Sequence, residues 1–176
     1  MNEFRKYFTK MISKKICMLG SLSVGKTSLV EQYVNSIFSD KYLSTVGVKI
    51  SKKGIDIDGT SVSLVLWDME GKDEYTDINM QYLRGAMGFF VVADLTRLDT
   101  FDAALKLREI ALGMLGQDAP NILLLNKSDL PDWEVENKHV EKALASGIKI
   151  LRTSAKMKTA VNEAFETLAR DMLART

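Results

Sequence analysis

An apolar run ending at Leu19 leads into Gly20-Ser-Leu-Ser-Val-Gly25-Lys26-Thr27, and helix-forming residues follow at once. This order of strand, glycine-bracketed loop and helix leaves few folds open, because such a loop works at the carboxyl end of a buried strand in an open α/β sheet. Gly20 and Gly25 let the backbone curl so that the N–H groups of Ser23, Val24, Gly25, Lys26, Thr27 and Ser28 can face inward at an anion. The helix that follows adds the positive end of its dipole, so phosphate is the expected guest. Lys26 is then the expected contact of the β- and γ-phosphates, and the Thr27 hydroxyl an expected Mg²⁺ ligand.

The rest of the chain fits that sheet. Short apolar runs predict strands over Lys15 to Leu19, Val48 to Asp56, Ser61 to Trp67, Gly88 to Ala93, Asn121 to Leu125 and Lys149 to Thr153. Amphipathic stretches predict helices over Lys26 to Asn35, Asp77 to Leu83, Thr100 to Gly116, Glu134 to Ser146 and Ala160 to Ala174. Asp58-Gly59 is a hairpin signal, so the second and third strands should pair antiparallel and the others parallel. The fold class is α/β: a six-stranded, mostly parallel sheet with helices on both faces.

Three further segments fall just past predicted strand ends, where such sheets bind ligands. Asp68 in Trp67-Asp-Met-Glu-Gly71 is placed to hold the magnesium, directly or through water. Gly71 has no side chain to block its amide, which could report whether a γ-phosphate is present. In Asn126-Lys127-Ser128-Asp129, the aspartate can accept two parallel N–H bonds from the N1 and N2 edge of guanine, a donor pair adenine lacks. The stem of Lys127 can cover the base, and the Ala155 N–H of Ser154-Ala155-Lys156 can meet the guanine carbonyl. The expected bound species is therefore Mg²⁺ with GTP or GDP, and Asp129 with Ala155 argues against an ATPase or kinase.

The 176 residues, 46% of them apolar, suit one domain with one sizeable core. A formal charge of +1 with both signs intermixed gives no field that selects a nucleic acid polymer. The one cysteine, Cys17, excludes an intrachain disulfide and fits a reducing, cytoplasmic setting. Apolar runs are far shorter than the roughly 20 residues of a membrane helix. Asn2 excludes myristoylation and Met172 to Thr176 hold no prenylation cysteine, so either a lipidated tail lies outside this sequence or none is used. Residues 1–14 read as a basic amphipathic extension and 15–176 as the folded domain. Phe4, Tyr7, Phe8, Met11 and Ile12 share a helical face opposite Arg5, Lys6, Lys10 and Lys14. Residues 4–12 could pack on the domain's own surface or make a weak peripheral membrane contact.

With these residues in place, the chain from about Lys15 to about Leu173 resembles the small GTPases of the Ras superfamily, the Rab branch most closely. The likeness is carried by Tyr42-Leu-Ser-Thr45-Val-Gly-Val, Leu66-Trp67-Asp68, Tyr82-Leu-Arg84-Gly85-Ala-Met-Gly and Thr153-Ser154-Ala155-Lys156. It implies that Thr45 joins the magnesium and γ-phosphate, and that Phe38 lies beside the guanine. It also implies a monomeric switch that meets effectors, an exchange factor and a GTPase-activating protein through residues near 40–50 and 68–84. Four positions depart from the family pattern. Lys72 stands in place of the glutamine that orients attacking water. Glu70 replaces a small residue and is expected to bring a carboxylate toward the triphosphate, and Leu22 replaces glycine or another small residue in the phosphate loop. Ile50 replaces an aromatic residue that shapes the effector face. The first three predict slow intrinsic hydrolysis, with a non-hydrolysing, constitutively GTP-bound module as the alternative. Cys17 and His139 read as structural rather than catalytic.

Overall fold

The computed structural model describes residues 11–41, 44–71 and 80–175. Among the described residues, six strands and four α-helices follow in the order β1 (Ile12–Leu19), α1 (Lys26–Asn35), β2 (Val48–Ile57), β3 (Thr60–Met69), β4 (Gly88–Asp94), α2 (Leu98–Leu115), β5 (Asn121–Asn126), α3 (Asn137–Ala145), β6 (Ile150–Arg152) and α4 (Val161–Leu173). They form one sheet in the order β2-β3-β1-β4-β5-β6, antiparallel between β2 and β3 and parallel elsewhere.

The central strands β1, β4 and β5 are apolar on both faces because helices cover both. Ile16 and Met18 of β1, Phe90 and Val92 of β4, and Ile122 and Leu124 of β5 pack with α1 and α4. Their neighbours Cys17, Leu19, Phe89, Val91, Leu123 and Leu125 face α2 and α3 on the other side. The period of two along each strand thus divides one apolar run between two cores. On the first side Phe165 of α4 joins the layers: it stacks on Tyr33 of α1 with centroids 3.9 Å apart and meets Phe90 edge-on at 5.0 Å.

The β2–β3 turn is the expected two-residue hairpin. Asp58 and Gly59 both have positive φ, 51° and 83°, and the Gly59 N–H donates to Asp56 Oδ1 at 2.9 Å. This backbone twist matches that of the flanking strands. β2 is an edge strand, and Lys49, Lys52, Lys53 and Asp56 along it discourage pairing with another chain.

Several boundaries differ from the expected ones. β1 begins at Ile12, because Ile12, Ser13 and Lys14 continue the ladder with Val62, Ser63 and Leu64. Ile12 therefore lies in a strand and not on the amphipathic helical face read from sequence, and Lys14 is buried with its Nζ donating to the Met172 carbonyl at 3.3 Å. α3 begins at Asn137, three residues late, because Glu136 is its N-cap. Its side chain accepts from the His139 backbone N–H, while the His139 side chain accepts from the Glu136 backbone N–H. The lone histidine is thus a capping residue. Of the helix expected over Asp77 to Leu83, only Met80–Leu83 is described, as a single 3-10 turn; Asp77 to Asn79 lie outside the described residues, as do residues 1–10 and Lys72.

Candidate functional site

The loops that follow β1, β3, β5 and β6, with the segment after α1, line a cavity of about 780 Å³ at the carboxyl ends of the parallel strands. Its wall takes Ser23, Gly25, Lys26, Thr27 and Ser28 from the first loop, Phe38 and Thr45 from the segment after α1, and Gly71 from the segment after β3. Asn126, Lys127, Asp129, Ala155 and Lys156 complete it. Five stretches far apart along the chain, from Ser23 to Lys156, therefore share one surface.

The glycines expected in the phosphate loop are sterically required. A Cβ at Gly25, where φ is 97°, would stand 2.3 Å from Asn126 Nδ2. One at Gly71 would stand 2.5 Å from both Lys26 Nζ and the Ser21 carbonyl. The segment after β3 is thus pressed against the loop lysine with no room for a side chain. Lys26 itself is buried, its Nζ donating to the carbonyls of Gly20 and Ser21 at 2.8 and 2.9 Å.

Thr27, Thr45 and Asp68 converge from three elements. The two hydroxyls are 2.7 Å apart, and Asp68 Oδ2 accepts from Thr27 at 2.5 Å and from Thr45 at 3.3 Å. Asp68 Oδ1 is buried and has no hydrogen-bond partner among the described residues. Burial pushes this carboxyl above the usual range, while the Thr27 hydroxyl, Lys26, the Thr45 hydroxyl and Lys49 pull it back. Two hydroxyl oxygens and an orphaned, poorly solvated carboxylate oxygen form an all-oxygen donor set that suits a hard divalent cation such as Mg²⁺.

At the other end, Asn126 joins the loops. Its Nδ2 donates to the Val24 carbonyl at 3.0 Å, and its Oδ1 accepts from the Ala155 N–H and Thr153 Oγ1, both at 3.3 Å. Val24 and Ser154, like Asp68, are buried and lie behind the residues that line the cavity. Ser154 Oγ donates to Asp129 Oδ1 at 2.6 Å and so orients that carboxylate. The Ala155 N–H, expected to face a guanine carbonyl, is directed to Asn126.

Two of the three residues expected to alter the outer-phosphate end are described. Leu22 lines the cavity and is 37% exposed. Glu70, however, is not among the residues lining the cavity: its Oε2 accepts from the Gly47 N–H at 3.2 Å, and the Glu70 N–H donates to the Gly47 carbonyl at 2.8 Å. Lys72 lies outside the described residues.

Sequence reasoning missed Asp94, Arg97, Lys49 and Glu31. Asp94 is buried and pairs with Lys127 Nζ at 2.6 Å and Arg97 Nε at 3.3 Å. Burial works to raise its pKa, but Lys127 and Thr96 outweigh it and hold the carboxyl below the usual range. Arg97 Nη2 also donates to the Leu22 carbonyl at 2.8 Å, so one buried carboxylate links the phosphate loop to the lysine at the base end. Its signal was an aspartate closing an apolar strand, the same signal that picked out Asp68. Lys49 and Glu31 pair along the cavity wall, and Lys49 with an Asn35 hydrogen bond keeps the Glu31 carboxyl low. Nothing in the sequence brings those two together.

Away from the cavity, Cys17 is buried, and burial pushes its thiol up to about 12, with Lys15 opposing. It is an inert core residue, as expected. Trp67 and Tyr82 pack tilted with centroids 6.0 Å apart beside the second core, and Lys15 Nζ lies 3.6 Å over the Trp67 ring. Ile50 is 49% exposed next to them. Among the described residues, no helix is long and apolar enough to cross a membrane.

Comparison with known proteins agrees with this geometry. Residues 15–174 match the model of the Ras family. The chain is 36% identical over 163 residues to Ras-related protein Rab-8B of Pongo abelii, covering 92% of this chain and 79% of that protein. It is 32% identical over 164 residues to Ras-related protein Rab-13 of Canis lupus familiaris, covering 92% and 81%. With Ras-related protein Rab-1C of Dictyostelium discoideum it shares 33% identity over 163 residues, 90% and 80% of the two chains.

Proposed function

The chain belongs to the Ras family of small GTPases, near its Rab members, and on that premise we propose that it binds GTP and GDP with Mg²⁺ in the loop cavity, switches protein partners by nucleotide state and hydrolyses GTP slowly. The observation that carries the reading is the convergence of Thr27, Thr45 and Asp68 beside Lys26 and Gly71 at one end of a cavity whose other end holds Lys127 and Asp129.

In this reading the N–H groups from Ser23 to Ser28 and the Lys26 ammonium hold the phosphates. Gly71 is the amide that meets the terminal phosphate. Asp129, oriented by Ser154, accepts the guanine N–H pair. Phe38, Lys127, Ala155 and Lys156 wall the base, while the Ser154 side chain acts through Asp129. Magnesium held by Thr27, Thr45 and Asp68 neutralises charge on the outer phosphates when bound.

Slow hydrolysis is supported by Leu22, which occupies cavity wall where water or an arginine from a partner must enter. It is supported also by Lys72, whose ammonium has no acceptor oxygen to orient water. An arginine supplied by a partner is worth about 10³ to 10⁵ in rate, so crowding at residue 22 would reduce stimulation as well. Partners engage residues near 40–50 and 68–84, where Val46 is 86% exposed and Ile50 replaces the family's aromatic residue. The residues before β1, from about 4 to 11, supply a weak membrane contact or pack on the domain, and the chain acts as a cytoplasmic monomer.

The test is to release and identify the nucleotide carried by purified protein, then follow bound GTP for hours with and without magnesium. Guanine nucleotide with slow, magnesium-dependent decay of GTP supports the proposal. Adenine nucleotide, or fast decay of GTP, overturns it. GTP retained intact indefinitely favours the constitutively loaded module.

A further inference from the structure

The last regular pair of the β2–β3 ribbon is Val48 with Met69, and the next position outward brings Gly47 opposite Glu70. In an antiparallel ladder a hydrogen-bonded pair exchanges two backbone bonds. Here one bond is of that kind, the Glu70 N–H to the Gly47 carbonyl at 2.8 Å. The other comes from the side chain: Glu70 Oε2 accepts from the Gly47 N–H at 3.2 Å. The carboxylate thus replaces the missing ladder carbonyl and extends the ribbon by one pair. Gly47 has φ of 72°, a conformation that favours glycine, and a Cβ there would meet nothing within 4 Å, so backbone conformation and not space selects it.

The pair matters because of what lies on either side of it. Two residues before Gly47 is Thr45, whose hydroxyl touches Thr27 and Asp68. One residue after Glu70 is Gly71, pressed against Lys26. The two loops that must respond to a terminal phosphate are therefore tied to each other at their roots. Both partners in the tie belong to the chain, so it is available whichever nucleotide is bound. A small residue at position 70 would leave the Gly47 N–H to water and Thr45 to be ordered by the ligand.

We propose that Glu70 is a positioning residue that holds the Thr45 segment against the magnesium-side cluster independently of the terminal phosphate, so that this segment changes little between the GDP and GTP states. This rests on the reading of the cavity as a guanine-nucleotide site, and it places the departure at residue 70 in switching rather than in hydrolysis. What distinguishes the two nucleotide states for a partner must then come from elsewhere in the chain.

The experiment is amide hydrogen exchange over residues 45–48 in the wild type, Glu70→Ala and Glu70→Gln, each loaded with GDP, with a non-hydrolysable GTP analogue, or stripped of nucleotide. Loading is read separately from the released nucleotide. In the wild type, exchange is expected to agree within about twofold between the two loaded forms. In Glu70→Ala the GDP form is expected to exchange at least about tenfold faster than the analogue form, the effect of losing one charge-assisted hydrogen bond. Glu70→Gln keeps an acceptor oxygen of the same reach and should restore protection, which a general loss of packing would not do. Wild-type exchange that is about tenfold faster with GDP, or a glutamine variant as unprotected as alanine, overturns the proposal. If the chain takes no guanine nucleotide, the functional reading fails on its own. The tie is then decided in the stripped protein, where faster exchange in alanine reversed by glutamine supports it and equal rates overturn it.

Discussion

Asp68 shows how one carboxylate can lower stability and serve function. Its pKa is raised by burial, so the folded state holds a proton more tightly than the unfolded chain, where aspartate titrates near about 3.9. The folding cost of ionising it is therefore absent in acid, where both states are protonated, and grows as pH rises through the raised pKa. Asp68→Asn is expected to stabilise metal-free protein at pH 7 by about 0.5–2 kcal/mol and to abolish the magnesium dependence of nucleotide retention. Paired denaturant titrations across pH check it: the gain should vanish at low pH, where the wild-type carboxyl is already neutral. A gain that persists there would assign the effect to packing. Gly71 gives a second prediction at this scale. A methyl at residue 71 must displace either the Lys26 ammonium or the Ser21 carbonyl, both 2.5 Å away. Gly71→Ala should weaken triphosphate binding by at least about tenfold, the loss of one well-placed charged contact, measured by competition with labelled GDP. Unchanged affinity would mean that this segment moves away from the loop when nucleotide binds.

Among the elements, the β2–β3 ribbon carries the clearest local signal, since Asp58-Gly59 chose both the turn and the antiparallel pairing. Gly59 has φ of 83° with open space around it, so a side chain there meets strain but no clash. Gly59→Val should cost about 1–2 kcal/mol in urea denaturation while leaving nucleotide release unchanged, because the turn is at the opposite end of β3 from Asp68. A change in release would show that the ribbon transmits strain to the cavity. α3 carries its own instruction as well, but the capping pair Glu136 and His139 placed its start later than apolar spacing alone suggested. The strand ends were less legible. Ile12 and Asn126 belong to strands only because Val62 and Asp94 stand beside them.

At the scale of the whole molecule, the sheet divides two cores and the cavity lies where their loops meet, joined through Asn126. Removing that side chain leaves the Val24 carbonyl and the Ala155 N–H without the partner each has now. Asn126→Ala should therefore lower stability by roughly 2–3 kcal/mol even without ligand. It should also reduce the rise in melting temperature that saturating GDP with magnesium produces, since a binding ligand stabilises only in proportion to its affinity. Thermal scans with and without nucleotide test both parts. Loss of the ligand effect alone, with unchanged basal stability, would make Asn126 a contact residue and not a structural joint.

The sequence by itself determined the alternation of strands and helices, the single antiparallel pair, the glycine-bracketed loop and the separate pieces of a nucleotide site. Each of these rests on short-range rules: side-chain period, turn chemistry, and residue types fixed by their distance from a strand end. Tertiary structure alone decided what the side chains do where those pieces meet. Glu70, expected to crowd an anion, serves the Gly47 amide because the ribbon register brings that amide opposite it. Val24 and Ser154 are buried behind the cavity wall, and Asp94 joins its near neighbour Arg97 to Lys127, which is remote in sequence and comes beside it only because β4 pairs with β5. Hydrogen-bond partners and burial depend on which strands become neighbours, and that is settled only when the whole sheet assembles.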